Sequence, residues 1–360
     1  MPLGDASYEI VLGTDLLPAL AALLERPCPA AHYAVVTDST VAPLYGERVC
    51  DALAVAAPCS LHVFPAGEWN KSRETWAAVI DGMLAARVGR DGAVVAVGGG
   101  VVGDVAGFVA ATYLRGIPYV QVPTTLLAMI DSSIGGKTGV DTPAGKNLIG
   151  AFHQPRAVFA DLDTIATLPP VHRIAGMAEA LKHGIIADAA YFDRLLSARP
   201  SILEAQREVL LDAVRRSVEI KAEVVAHDER ERGRRAILNF GHTVGHALET
   251  VAGYELIHGE AVATGMVVES RLGVLLGLTD PAVEQAVRAA LEAYGFPIEL
   301  PAGASAARLL EVMQADKKVR DGTVRFALPA RAGEMARAND GRWTVAAAPE
   351  MILNALAHFG

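Results

Sequence analysis

Five consecutive apolar residues, Ala93-Val94-Val95-Ala96-Val97, run straight into Gly98-Gly99-Gly100, and this pairing narrows the possible architectures more than any other stretch. A strand that is apolar at every position is covered on both faces, as in a parallel sheet held between two layers of helices. Further short apolar runs at 33–37, 61–64 and 119–122 end on Asp38-Ser39-Thr40, Pro65-Ala66-Gly67-Glu68 and Pro123. Trp76, Val79, Ile80, Met83 and Leu84 recur at helical spacing between two of these runs. Strands alternating with helices predict an α/β domain with a parallel, Rossmann-like, doubly wound sheet. Ligands of such sheets bind beyond the carboxyl ends of the strands, so the turns at Asp38, Glu68, Gly98 and Pro123 are expected to converge on one ligand.

From Leu168-Pro169-Pro170 onward the apolar period is 3.6, with few strand signals before residue 323. The expected division is an α/β domain over 1–165 and an all-α domain over 166–360, in line with a length of 360 residues. A net charge of −9 argues against nucleic acid or an anionic membrane as partner. No apolar stretch is long enough to span a bilayer, and the opening Met-Pro-Leu-Gly-Asp lacks the pattern of a secretory leader. Cys28, Cys50 and Cys59 are scattered without metal or disulfide spacing and fit a reducing, cytoplasmic setting.

Gly98–Asp104 contains a G-x-G-x-x-G after a strand and before a helix, a pattern in which backbone N–H groups approach a phosphate. It sits deep in the chain and lacks the acid about 20 residues on, so the arrangement is non-standard; a purely steric turn is the competing reading. Gly135-Gly136-Lys137-Thr138 resembles the end of a P-loop, but Asp131 stands where the first glycine is needed. Lys137 and Lys146, both on glycine turns, read instead as donors to an anion, each singly also explicable as a solvated lysine. His242 and His246 are four residues apart on one helical face, and His258 follows twelve residues on. Three imidazoles with carboxylates nearby suit zinc. Glu179 and Lys182, at i and i+3, read either as a helix ion pair or as a metal-ligating carboxylate beside a cation.

Taken together, GEWNKS (67–72), GGGVVGDVAGFVAATYLRG (98–116), QVPTTLLAMIDSSIGGKTGV (121–140), GKNLIGAFHQP (145–155), GMAEALKHG (176–184), LNFGHTVGHALE (238–249), HGEAVATGM (258–266) and DKK (316–318) resemble the 3-dehydroquinate synthases of the sugar-phosphate cyclase family. The resemblance runs over nearly the whole chain, loosely before residue 60 and after 330. It implies metal ligands Glu179, His242 and His258, with His246 on the substrate side, which replaces the reading of His242 and His246 as a joint ligand pair. It implies NAD contacts at Asp38, Glu68, Lys71, Gly100, Val101, Val102, Gly103, Asp104, Thr124, Thr125, Lys137, Lys146, Thr164 and Thr167. Lys137, Lys182, Lys221, Arg235, Asn239 and His246 would be catalytic. Asp131, Lys146, Asn147 and one of Lys317 or Lys318 would hold substrate, with Arg115 reaching its phosphate, a neighbouring subunit being one source of that arginine.

The family's substrate is 3-deoxy-D-arabino-heptulosonate 7-phosphate, and its cofactors are NAD and zinc, with cobalt an alternative. The resemblance implies hydride removal at C5, phosphate elimination, hydride return, and intramolecular aldol closure to 3-dehydroquinate, a step of aromatic amino acid biosynthesis by the shikimate pathway. It also implies a homodimer. The alternatives are a related cyclase, an aminated-substrate paralogue and a polyol dehydrogenase.

Overall fold

The computed structural model describes residues 1–253, 256–301, 303–315 and 323–359. It divides into two compact units, Met1–Pro169 with Leu210–Val218, and Pro170–Val209 with Glu219–Gly360.

In the first unit, strands β1 (Glu9–Gly13), β2 (Tyr33–Asp38), β3 (Cys59–Phe64), β4 (Ala93–Gly98), β5 (Tyr119–Pro123) and β8 (Ala157–Asp161) form one sheet in the order β1-β8-β5-β4-β2-β3. Every pairing in it is parallel. Successive residues of the central strands serve opposite faces. Ala34, Val36, Val94 and Ala96 pack under helices α3 (Arg73–Ala85) and α4 (Gly100–Thr112). Tyr33, Val35, Val95, Val97, Val120 and Val122 pack on the other face with α1 (Leu20–Leu24) and α2 (Glu47–Ala54). Because all six strands run the same way, Asp38, Gly98, Pro123 and Asp161 end at one edge.

The segment 137–152, read from sequence as lysines on glycine turns, is an antiparallel hairpin of β6 (Lys137–Thr142) and β7 (Gly145–Phe152). Gly139 and Gly150 face each other in its ladder; a Cβ on Gly150 would lie 2.1 Å from the Thr138 carbonyl oxygen. The glycines therefore serve close strand pairing there rather than a phosphate loop.

The second unit is helical from α5 (Pro170–Ala187) through α6 (Ala189–Ser197), α7 (Arg199–Leu203), the two ends of α8 (Arg207–His227), whose middle Leu210–Val218 belongs to the first unit, α9 (His242–Val251), α10 (His258–Leu275), α11 (Pro281–Ala293) and α12 (Ala306–Ala315) to α13 (Pro349–Leu356). To the expected helices it adds four short strands, β9 (Arg325–Phe326), β10 (Pro329–Arg331), β11 (Glu334–Met335) and β12 (Val345–Ala346), paired as two small ladders. Helix α10 is buried on nearly every side and packs against α5, α9, α11 and α13. Glycine makes this possible. A Cβ on Gly265 would stand 1.9 Å from the Gly241 carbonyl oxygen, and one on Gly259 2.1 Å from that of Ala175. Backbone thus meets backbone where α10 crosses the start of α9 and the body of α5.

Candidate active site

The three helices joined by these backbone contacts each carry one member of a candidate metal-ligand set. Glu179 on α5, His242 at the start of α9 and His258 at the start of α10 bring one donor atom each to within 4.8 Å of one another. His242 Nε2 lies 3.4 Å and His258 Nε2 3.7 Å from Glu179 Oε1. Glu179 is fully buried, and neither carboxylate oxygen takes a hydrogen bond of regular geometry among the described residues. What faces it is the Lys182 ammonium, one helical turn on, and imidazole nitrogen. Burial works against the Glu179 charge, but Lys182 and then the two histidines outweigh it and hold its carboxyl well below the usual range.

The far nitrogen of each imidazole is committed elsewhere. His242 Nδ1 is 3.2 Å from the Phe240 carbonyl oxygen, and His258 Nδ1 is 3.3 Å from Glu249 Oε1. Both acceptors are served by an N–H at Nδ1, which leaves each Nε2 turned toward Glu179, as a lone pair on neutral His242 and as an N–H on His258 until its proton is lost. Burial, and after it the Lys182 cation, pushes His242 down to about 3. Burial also opposes a charge on His258, but the facing Glu179 and Glu249 carboxylates hold it up at about 10. Two nitrogens and a carboxylate oxygen are the donors of a catalytic zinc or cobalt site with a position left open, and the geometry fits such an ion.

His246 is part of the same cluster, its ring centroid 5.3 Å from that of His242 and 6.3 Å from that of His258. The helix that carries these residues is pinned by Glu269 of α10, which accepts from the Gly241 N–H at 2.7 Å and the Val244 N–H at 3.1 Å. Gly241 supplies the left-handed turn before α9, with φ of 81°.

Arg235 and Asn239 follow a loop built on Asp228. Its Oδ1 accepts from the Arg232 N–H at 2.9 Å, and its Oδ2 from the N–H groups of Gly233 at 2.7 Å and Arg235 at 3.0 Å. Burial counts against its charge, but these donors and the Arg235 guanidinium lower the Asp228 carboxyl. Arg235 is buried and donates to the Glu229 carbonyl oxygen; Asn239 Nδ2 donates to Glu231 Oε1 at 2.5 Å. Lys221 is buried on α8. Lys317 and Lys318 lie outside the described residues.

In the first unit, α4 begins on Gly99, and no side chain among the described residues caps its leading N–H groups. Gly103 lets α4 lie against β5: a Cβ there would be 2.6 Å from Gln121 Oε1. Thr124 donates its N–H to the Gly98 carbonyl oxygen at 2.9 Å, tying the end of β5 to the glycine turn, and Thr125 lies alongside Gly99. Asp38 accepts from the Thr40 and Val41 N–H groups at 2.8 and 2.9 Å. Lys71 is buried, with Nζ 2.6 Å from both Asp104 Oδ2 and Asn147 Oδ1. Burial disfavours the Lys71 cation, yet Asp104, Glu68 and Asp141 raise its pKa; the same burial, with Glu68 and Asp141, pushes Asp104 up against the pull of Lys71. Lys146 Nζ is 3.4 Å from Glu68 Oε1. The cluster thus joins Glu68, Lys71, Asp104, Lys146 and Asn147 with Asp141, whose Oδ1 accepts from the Asn147 N–H at 2.7 Å.

Thr164 is buried and donates to the Asp161 carbonyl oxygen, while Thr167 meets the Tyr45 hydroxyl at 2.6 Å. Asp131 is half-buried in the turn after β5, and Lys137 is exposed at the start of β6. Arg115 is not brought to the glycine turn in this unit: it follows the far end of α4, a helix of 13 residues and so about 20 Å long. Glu249, Glu269, Asp228 and Asp141 are the site-building residues that spacing did not single out. Glu249 alone left a trace, seven residues beyond His242 on the same helical face.

An α/β unit with an uncapped glycine-turn helix, and a helical unit with a two-histidine, one-carboxylate set beside buried cations, define a class of metal-dependent α/β-plus-helical enzymes. Residues 61–175 match the N-terminal domain of 3-dehydroquinate synthase and residues 176–319 its C-terminal domain. The chain belongs to the 3-dehydroquinate synthase family. It is 48% identical to the 3-dehydroquinate synthase of Symbiobacterium thermophilum over 338 residues, covering 93% of this chain and 94% of that protein. Among solved structures it is similar to 2-epi-5-epi-valiolone synthase from Streptomyces hygroscopicus with NAD+ and Zn2+ bound, at a TM-score of 0.88 and 33% identity, over 100% of this chain and 98% of that one. It is also similar to 2-deoxy-scyllo-inosose synthase in complex with carbaglucose-6-phosphate, NAD+ and Co2+, at a TM-score of 0.87 and 27% identity, over 98% and 97% of the two chains.

Proposed function

We propose that this chain converts 3-deoxy-D-arabino-heptulosonate 7-phosphate to 3-dehydroquinate and phosphate, a carbon–oxygen lyase reaction that leaves its dinucleotide unchanged overall. The observation that carries this reading is the burial of three cations, Lys182, Lys221 and Arg235, each no more than 5% exposed, in a chain of net charge −9. Cations so placed are costly unless anions meet them. Glu179 faces Lys182 within the protein, and a substrate bearing phosphate and carboxylate suits a site this rich in buried cations, whereas a neutral polyol offers such a site no anion.

Glu179, His242 and His258 would hold zinc or cobalt, which when bound supplies Lewis acidity at a substrate oxygen. The α4 N-terminus, Asp38, the threonines at 124 and 125 and the cluster around Lys71 would hold NAD, which takes up a hydride and returns it. Thr164 and Thr167, the remaining cofactor contacts implied by the family, belong to this set. Lys182, Lys221 and Arg235 would bind and orient the anionic groups. Asn239, Asn147 and Asp131 would fix hydroxyls by hydrogen bonds, with Lys137, Lys146 and Lys317 adding charge. His246, whose ring lies 5.3 Å from that of His242 and 6.3 Å from that of His258, would move a proton at a substrate oxygen near the metal. Arg115 would act on the phosphate from a second copy, which agrees with a homodimer; a cytoplasmic location completes the reading.

The test is to incubate the protein with the heptulosonate phosphate, NAD and zinc while following phosphate and reduced-nicotinamide absorbance together. Phosphate release with no more than a trace of NADH is the expected result. Stoichiometric NADH without phosphate would refute the reading in favour of a polyol dehydrogenase.

A further inference from the structure

We infer that Glu249 is a positioning residue of the metal site, fixing the orientation and tautomer of His258 from behind. The inference rests on the metal reading proposed for Glu179, His242 and His258. Glu249 is 2% exposed, in a helix whose other buried positions are Val244, Gly245, Ala247 and Leu248. An acidic residue so deep in an apolar helix face calls for a specific partner. That partner is an imidazole: Oε1 lies 3.3 Å from His258 Nδ1.

An ionised carboxylate only accepts hydrogen bonds, so Nδ1 has to carry the hydrogen and Nε2 is the nitrogen presented to Glu179 and His242. His242 obtains the same constraint from its own helix, through the Phe240 carbonyl oxygen 3.2 Å from its Nδ1. His258 opens α10, and among the described residues no backbone carbonyl of its own segment accepts from its Nδ1. Glu249 supplies the acceptor from α9 instead. One helix face therefore contributes a ligand directly at position 242 and orients a second ligand through position 249. A carboxylate in this place also raises the basicity of the ligand nitrogen, which a backbone carbonyl does less strongly.

The test compares the parent with Glu249→Gln and Glu249→Ala. Cobalt affinity is measured by chelator competition, together with the visible spectrum of the cobalt protein and the melting temperature of the metal-free protein. Loss of about 10–100-fold in affinity is expected for Glu249→Ala, with one cobalt still bound at saturation and a changed visible band. Glu249→Gln, which keeps the shape and one acceptor oxygen, should fall between, and it carries the test if the alanine variant does not fold. Metal-free melting should fall in the alanine variant, because a buried contact is lost with the carboxylate, so the visible spectrum is the readout that a merely structural role would not move. Parental affinity and spectrum in both variants would overturn the inference. So would an affinity loss with the parental visible spectrum, since that marks a merely structural role. Failure of the parent itself to bind cobalt would instead overturn the metal reading.

Discussion

Replacing Gly265 by alanine tests whether backbone contact between α9 and α10 sets the spacing of the ligands. The added Cβ would sit 1.9 Å from the Gly241 carbonyl oxygen and 2.9 Å from the Gly245 nitrogen. Real Cβ contacts essentially never fall below 3.0 Å, so the helices have to separate by about 1.1 Å. Both obstacles are backbone, which cannot swing aside as a side chain does. Overpacking of this kind costs about 1–3 kcal/mol. For a protein of this size that lowers Tm by roughly 1–4 °C. The effect on the site should be the larger one. His242 rides on α9 and His258 on α10, and metal–ligand distances tolerate only about 0.2 Å. Zinc affinity should therefore fall at least about tenfold, read by competition with a chromophoric chelator, while melting of the metal-free protein reports the packing cost alone. A variant that binds zinc and melts like the parent would refute the argument, because it would mean that the crossing yields without disturbing the ligands.

Glu179→Gln should lose its metal while His246→Ala keeps it, as measured by atomic spectroscopy after dialysis; zinc loss from the His246 variant would return that histidine to the ligand set. Lys71→Met leaves Asp104 without its cation and should lower stability by about 3 kcal/mol in urea unfolding, the low end for a broken buried pair because Asp104 is 19% exposed. Adding Asp104→Asn should recover most of that loss, and a double variant no more stable than the single would contradict the pairing. At pH 8 binding of zinc should release about one proton per chain, from His258, which is held at about 10, and none from His242, already neutral at about 3. The released proton should vanish as pH rises through 10; release that is independent of pH would count against the assignment.

Strands β2, β4 and β5 were legible because a parallel strand buried on both faces needs an unbroken apolar run, and nothing competes with that signal. β1 was not, since Glu9–Gly13 is a half-exposed edge strand with no continuous run to show. The β6–β7 hairpin was hidden by its own glycines, whose lack of side chains erases the alternation that marks a strand, while Gly136-Lys137-Thr138 imitated a phosphate loop. Around the metal site, spacing could show that His242 and His246 share a helical face but not which other elements fold against it. Glu179 lies 63 residues upstream on α5, and only the packing of three helices brings it to His242 and His258. Motif resemblance named that set where periodicity could not. Arg115 shows the limit of the same route, since a motif carries a residue's identity but not the copy of the chain it acts on.

The loop after α8 has a consequence for how this protein can be altered. Asp228 collects the N–H groups of Arg232, Gly233 and Arg235, so the path of the chain into Arg235 is written in main-chain atoms and one carboxylate. Exposed Arg230 and Arg232 play no part in that path through their side chains. Their charges are therefore open to redesign, or to fusion of an affinity label, with Arg235 left at its post, whereas a single Asp228→Ala change would let the arginine wander without touching it.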